Sequence, residues 1–206
     1  MADFPRTKPP ADVSLPKVPP PLISRGQTGK VQTRAVNAVG RTWTESWGVL
    51  SAGNADVQAL TSFIEDTYQQ GTAITLTHYL LPGSGKAPNG SGGGTPVVNG
   101  PSQSGSVLVI DGFPTSATGV VAAGDVLGVA GLTQVIRSTS TVNASASGSA
   151  SVTINPPIAV GGSPSDGAAI TTTGVEFTAY IEDYTIPRAA PDEFMAGMTV
   201  MFRESV

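Results

Sequence analysis

The clearest helical periodicity in the chain occurs once. Val57, Leu60, Ile64 and Tyr68 recur at intervals of three and four, with Phe63 beside them, so their side chains share one face of a helix. Asn54 stands where an N-cap belongs, Asp56 lies in the first turn, and Gly71 supplies the stop. A helix is therefore expected over about 55–69, with Gln58, Ser62, Glu65 and Gln69 outward. Elsewhere the period is two. Val31, Thr33, Ala35 and Asn37 alternate with Gln32, Arg34, Val36 and Ala38, a turn falls near Gly40, and Thr42-Trp43-Thr44-Glu45-Ser46-Trp47 follows. A strand places Trp43 and Trp47 on one face, where they are expected as core residues. Residues 72–81 read as a further strand, rich in β-branched and aromatic side chains and closed by Pro82-Gly83.

Residues 83–106 are dominated by Gly, Pro, Asn and Ser and read as loop. Short strand-like pieces then come in quick succession. They fall at 107–110 before Asp111-Gly112, at 120–122 and 126–129 around Gly124-Asp125, and at 132–137 after Gly131. Val142, Ala144 and Ala146 alternate with polar residues, as do Ala150, Val152 and Ile154, and Pro156-Pro157 closes the series. Short strands with glycine at the turns suggest a small twisted barrel or meander. Two more strands are expected at 175–181 and 195–203, separated by a proline-punctuated turn at 186–191.

The expected fold is thus mainly β: a β-sandwich with one packed α-helix and a small inserted β-barrel-like module. The sandwich is assigned 26–105 and 158–206, and the insert 106–157. Ahead of both, residues 1–23 hold seven of the seventeen prolines. Proline fixes φ and donates no backbone hydrogen bond, so residues 1–25 read as a proline-rich extended arm. Such an arm is either a disordered tail or a segment laid along a neighbouring subunit.

Composition narrows the partners. Charged residues make up only 13% of the chain, against about a quarter in ordinary soluble domains. Surfaces so poor in charge suit burial against neighbouring subunits. A net charge of −4, with eleven scattered basic residues, supplies no phosphate-binding face, so no specific nucleic-acid binding is expected. The absence of cysteine excludes a disulfide framework, a thiolate metal site and a Cys nucleophile. Residues 1–23 contain no long apolar run after their basic residues, and no stretch approaches the ~18 apolar residues of a membrane span.

Candidate chemistry is sparse. His78 is the only histidine, and with no second imidazole or thiolate it is expected at a surface or interface rather than in catalysis. Gly29-Lys30 and Gly85-Lys86 lack the following Ser or Thr and the earlier Gly of a phosphate-binding loop. Glu65-Asp66, Glu182-Asp183 and Asp192-Glu193 are adjacent pairs, and neighbours on a strand point to opposite faces. Asp111 and Asp125 beside glycines read as turn formers. Asn89-Gly90-Ser91 and Asn143-Ala144-Ser145 match a glycosylation pattern short enough to arise by chance. No catalytic, cofactor-binding or metal residue is assigned, no cofactor is expected, and the chain reads as a non-enzyme.

The order of features carries a family resemblance. The Trp-bearing stretch 42–50 leads into the amphipathic helix, then Tyr79-Leu80-Leu81-Pro82 and Val98-Asn99-Gly100-Pro101-Ser102-Gln103-Ser104-Gly105. Ala123-Gly124-Asp125, Gly131-Leu132-Thr133-Gln134-Val135 and Ser151-Val152-Thr153-Ile154-Asn155-Pro156-Pro157 follow, and Met198-Thr199-Val200-Met201-Phe202-Arg203-Glu204 ends the series. Over roughly residues 30–206 this resembles the minor tail proteins of long-tailed bacteriophages, of the kind placed at the tail tip as distal tail proteins. The resemblance implies a virion protein, made in the bacterial host cytoplasm. It further implies a closed and commonly hexameric ring of copies, joining the tail tube to the tail-tip or baseplate proteins, with the insert decorating that ring. Two other roles fit the same residues: a carbohydrate- or receptor-binding module of a virion, and a tail-tube subunit. Exposed tryptophans would favour the carbohydrate module; buried ones count against it.

Overall fold

A computed structural model of the chain describes residues 2–17, 22–25, 31–34, 40–187, 194–195 and 197–205, with the backbone alone for 22–25, 31–34 and 195. In chain order the first elements are β1 (Ala2–Asp3), β2 (Asp12–Val13), β3 (Leu22–Arg25), β4 (Val31–Arg34), β5 (Thr42–Trp47) and β6 (Leu50–Ser51). The helix α1 (Ala55–Gln70) and β7 (Ile74–Thr77) come next. Then follow β8 (Val97–Val98), β9 (Gly105–Asp111), β10 (Val126–Val129), β11 (Ile136–Ser138), β12 (Ala150–Ile158) and β13 (Ile170–Thr171). The series ends with β14 (Glu176–Thr185), β15 (Phe194–Met195) and β16 (Met198–Glu204). The chain is mainly β with one helix. It divides into a first unit, 1–75 with 178–206, and a second unit, Leu76–Phe177.

The first unit is built on a six-stranded mixed sheet ordered β1-β7-β14-β16-β5-β2. Alternation decides its faces. Trp43, Glu45 and Trp47 of β5 and Met198, Val200, Phe202 and Glu204 of β16 are buried, while Thr42, Thr44, Ser46, Thr199, Met201 and Arg203 point the other way. The helix covers the buried face. Asn54 caps it by accepting the Asp56 N–H at 2.9 Å, and Gly71 ends it at φ 59°. Val57, Leu60, Ile64 and Thr67 are buried. Tyr68, expected on the apolar face, is 43% exposed and meets Tyr184 edge-on at 5.0 Å, and Thr67 takes the buried position. Two ribbons complete the unit, β3 with β4 and β6 with β15. The unit is thus mainly β with one packed helix, as expected.

The proline-rich segment is not a detached arm over its described part. Residues 2–3 pair in parallel with β7 at one edge of the sheet, and residues 12–13 pair with β5 at the other. Between them the chain crosses the buried face: Phe4 is 4% exposed and meets Phe202 at 5.3 Å, Phe63 at 5.8 Å and Trp47 at 6.3 Å. The segment reads as irregular from sequence because its prolines break any period, yet a strap needs no regular period. Proline also suits sheet edges, where one side of the ladder is unpaired.

The second unit is a barrel. Its sheet runs β13-β10-β11-β12-β9-β8, and the ring closes where Val98 N–H donates to Ala168 O, Gly167 N–H to Val98 O and Ile170 N–H to Pro96 O, each at 2.9 Å. Closure leaves no long edge. Leu108, Ile110, Leu127, Ile136, Val152, Ile154 and Ile170 fill the interior, with Phe113, Val120 and Val121 in the same cluster. The expected boundaries of 106–157 are therefore too narrow, because β8 and β13 close the ring from outside them. Both strands are two residues long, too short to show a period. β12 also runs on through Pro156-Pro157 to Ile158; the register shift between Thr153 and Ile158 absorbs prolines that cannot donate to a ladder. The barrel is inserted between β7 and β14, which are neighbours in the main sheet.

Candidate functional site

His78 is fully buried, just past the end of β7, not at a surface. Its backbone N–H donates to Ser84 Oγ at 2.8 Å, and Ser84 Oγ–H donates in turn to Val175 O at 2.5 Å. The imidazole Nδ1 accepts the Leu80 N–H at 3.3 Å, and its ring lies 6.2 Å from that of Phe177. The tight turn 78–86 explains the difference: Gly85 packs so closely that a Cβ there would come 2.4 Å from Tyr79 Cα, and the chain folds back over the ring. His78 thus lies in the core of the second unit.

The two aspartates beside glycines do build turns, and Asp125 does more. It is 2% exposed, and its carboxylate accepts the N–H groups of Ala122 at 2.9 Å, Asn89 at 2.7 Å and Gly90 at 2.9 Å. One buried carboxylate therefore fixes its own turn and anchors a loop 35 positions earlier in the chain. Asp111 accepts the Gly112 N–H at 2.8 Å. Gln103 acts on the same loop-rich region as a substitute strand: its amide accepts the Val109 N–H at 2.7 Å and donates to Val109 O at 3.0 Å. Of the carboxylate pairs, Asp66 accepts from Gln70, and Glu182 pairs with Arg203. Asp192-Glu193 and Gly29-Lys30 lie outside the described residues. Asn143 accepts the Gly119 N–H at 2.7 Å. Among the described residues no three His, Asp or Glu side chains gather as a metal-binding set. A shallow depression of about 250 Å³ on the barrel is lined by Gly124, Arg137, Ser138, Thr139 and Asn155.

Four charged residues stand out that the sequence pattern did not single out. Glu45 and Glu204 have fully buried side chains, each gripped by a bidentate arginine. Arg41 reaches Glu204 through Nε and Nη2, both at 2.7 Å. Arg6 grips Glu45 through both of its terminal nitrogens and also covers the ring of Phe4. These pairs tie β5 to β16 and the N-terminal segment to β5. The signal was present: Glu45 and Glu204 are in phase with the apolar positions of their strands, and a carboxylate in that phase needs a buried partner.

What remains open to a partner is surface. The outer face of the main sheet presents Thr42, Thr44, Ser46, Thr199, Met201 and Tyr180, with the Glu182–Arg203 pair among them. Tyr180 is 40% and Met201 38% exposed. Val49 and Phe194 are exposed at the β6–β15 ribbon. Both tryptophans, by contrast, are 2% exposed. Compared with known proteins, the chain matches no family model, and no curated protein resembles it significantly.

Proposed function

We propose that this chain is a non-enzymatic structural subunit of a virion, assembling by its sheet face with copies of itself and with neighbouring proteins. More particularly, we read it as a tail-tip protein of a long-tailed bacteriophage, forming a ring that joins the tail tube to the tip or baseplate. The observation that carries the reading is the inserted barrel between adjacent strands of a sheet whose outer face is low in charge and rich in Thr, Ser, Met and Tyr. Such a face is buried against a neighbour at little desolvation cost, and closed rings repeat one such contact. The sequence resemblance over roughly 30–206 supports the tail assignment. Burial of Trp43 and Trp47 speaks against a carbohydrate module built on exposed indole rings.

Light scattering over a concentration series, with negative-stain images of the same samples, tests the reading. A discrete oligomer near six copies is expected, and Thr44→Glu or Met201→Glu on the sheet face should dissociate it. Filaments of indefinite length would transfer the assignment to a tube subunit. A chain that stays monomeric and forms no ring with tail-tube protein would overturn it.

A further inference from the structure

The N-terminal segment 2–17 behaves as a ligand seated in a groove of the same chain. Its bonds to the sheet are made far along the sequence: Phe4 N–H to Thr75 O at 2.9 Å, Ala11 N–H to Ser46 O at 2.7 Å and Ser14 N–H to Thr44 O at 2.9 Å. Lys17 and Thr42 exchange two further bonds, at 2.8 and 3.0 Å. Across the buried face, Arg6 grips Glu45, Trp47 Nε1–H donates to Lys8 O at 2.9 Å, and Lys8 Nζ lies 3.5 Å from Asp56. Only Phe4 and Val13 of the segment are buried, and Phe4 packs on Trp47, Phe63 and Phe202 of the groove rather than on a core of its own. Pro5, Pro9, Pro10 and Pro16 stiffen it, so little freedom remains to be lost when it docks.

We propose that this groove also accepts residues 2–17 of a second copy, so that straps exchange between chains. Every bond just named is identical whether the strap comes from the same chain or another. The balance is then set by the local concentration of the second strap against the tether of the first. Exchange therefore rises with concentration and rises further wherever copies are held side by side. The occupant is specified by sequence: an extended, proline-bearing segment with an aromatic at position 4 and a guanidinium at position 6. The proposal does not depend on a virion role.

The chain has no cysteine, which allows a clean cross-linking test. Asp12 and Ser46 are ladder partners on β2 and β5, a spacing within the reach of a disulfide. One full-length chain carries Asp12→Cys, a mass-tagged second carries Ser46→Cys, and the two are mixed under mild oxidation. A disulfide-linked heterodimer that increases with concentration is expected. Its yield should exceed that of Asp12→Cys mixed with Ser62→Cys, on the outer side of the helix. Adding Phe4→Ala separates exchange from chance encounter: in the strap-donating chain it should lower the yield several-fold, and in the accepting chain it should raise it, by loosening the resident strap. Heterodimer no higher than the Ser62→Cys control, or a response to Phe4→Ala of the same sign in both chains, would overturn the proposal. So would a doubly substituted chain, Asp12→Cys with Ser46→Cys, that cross-links only within itself at every concentration.

Discussion

Replacing Arg41 by Met should be among the most damaging single changes to the first unit. Met keeps much of the arginine stem's packing and removes its charge. What remains is the Glu204 carboxylate, fully buried and stripped of two hydrogen bonds of 2.7 Å. Removing one partner of a buried ion pair costs about 3–5 kcal/mol, because the other charge is left uncompensated. The first unit comprises 1–75 with 178–206; at roughly 4–8 °C per kcal/mol for a unit of that size, the shift in its Tm is at least about 12 °C. In the double variant Arg41→Met/Glu204→Met neither charge of this pair is left buried without its partner, so most of the loss should be recovered. Urea unfolding followed by tryptophan fluorescence measures both, since Trp43 and Trp47 lie in this unit and report it alone. A single-variant loss below about 1 kcal/mol, or a double variant as unstable as the single, would refute the argument.

Asp125→Ala should destabilise the barrel by about 2–4 kcal/mol, since three charge-assisted bonds are lost at once and such losses are not additive; hydrogen exchange at Asn89 and Gly90 should accelerate with it. Gly40→Ala places a Cβ 1.7 Å from Glu204 O, so a loss above about 2 kcal/mol is expected in thermal unfolding. Gly71→Ala, at φ 59° with no atom within 4 Å, should cost only about 1 kcal/mol. Acrylamide should quench the tryptophan emission weakly, and saccharides should leave it unchanged, because both rings are 2% exposed.

Much of the architecture was legible where a period runs long enough to be read. The helix was expected at about 55–69 and spans Ala55–Gln70, because cap, apolar face and stop agree. The Trp43–Trp47 alternation likewise marked β5 and its buried face. The barrel was legible as a module and not in its limits. Its closing strands are two residues long, and the loop before β9 is held by side chains, Asp125 and Gln103, that look like any turn residue in sequence. His78 was misplaced for a related reason: the strand was expected to continue to residue 81, whereas the chain turns sharply after Thr77 and buries the ring.

The strap changes which surfaces are left for assembly. Without β1 and β2 the main sheet would have four strands, β7-β14-β16-β5, and would offer two edges to a neighbour. In the folded chain each edge is covered by a short strand from the N-terminal segment, which is how isolated proteins prevent edge-to-edge pairing. Strand addition at the edges of β7 and β5 therefore requires a strap to leave its own groove. Contacts that leave the strap in place can use, among the described residues, the outer sheet face, the β6–β15 ribbon, the outer side of the helix or the barrel surface. The two routes differ in one observable. Substitution at Met201 disrupts a face contact and leaves strap cross-linking intact, whereas Phe4→Ala in the donating chain acts on the strap and leaves the face unaltered. A ring that responds to both is held by face and strap together.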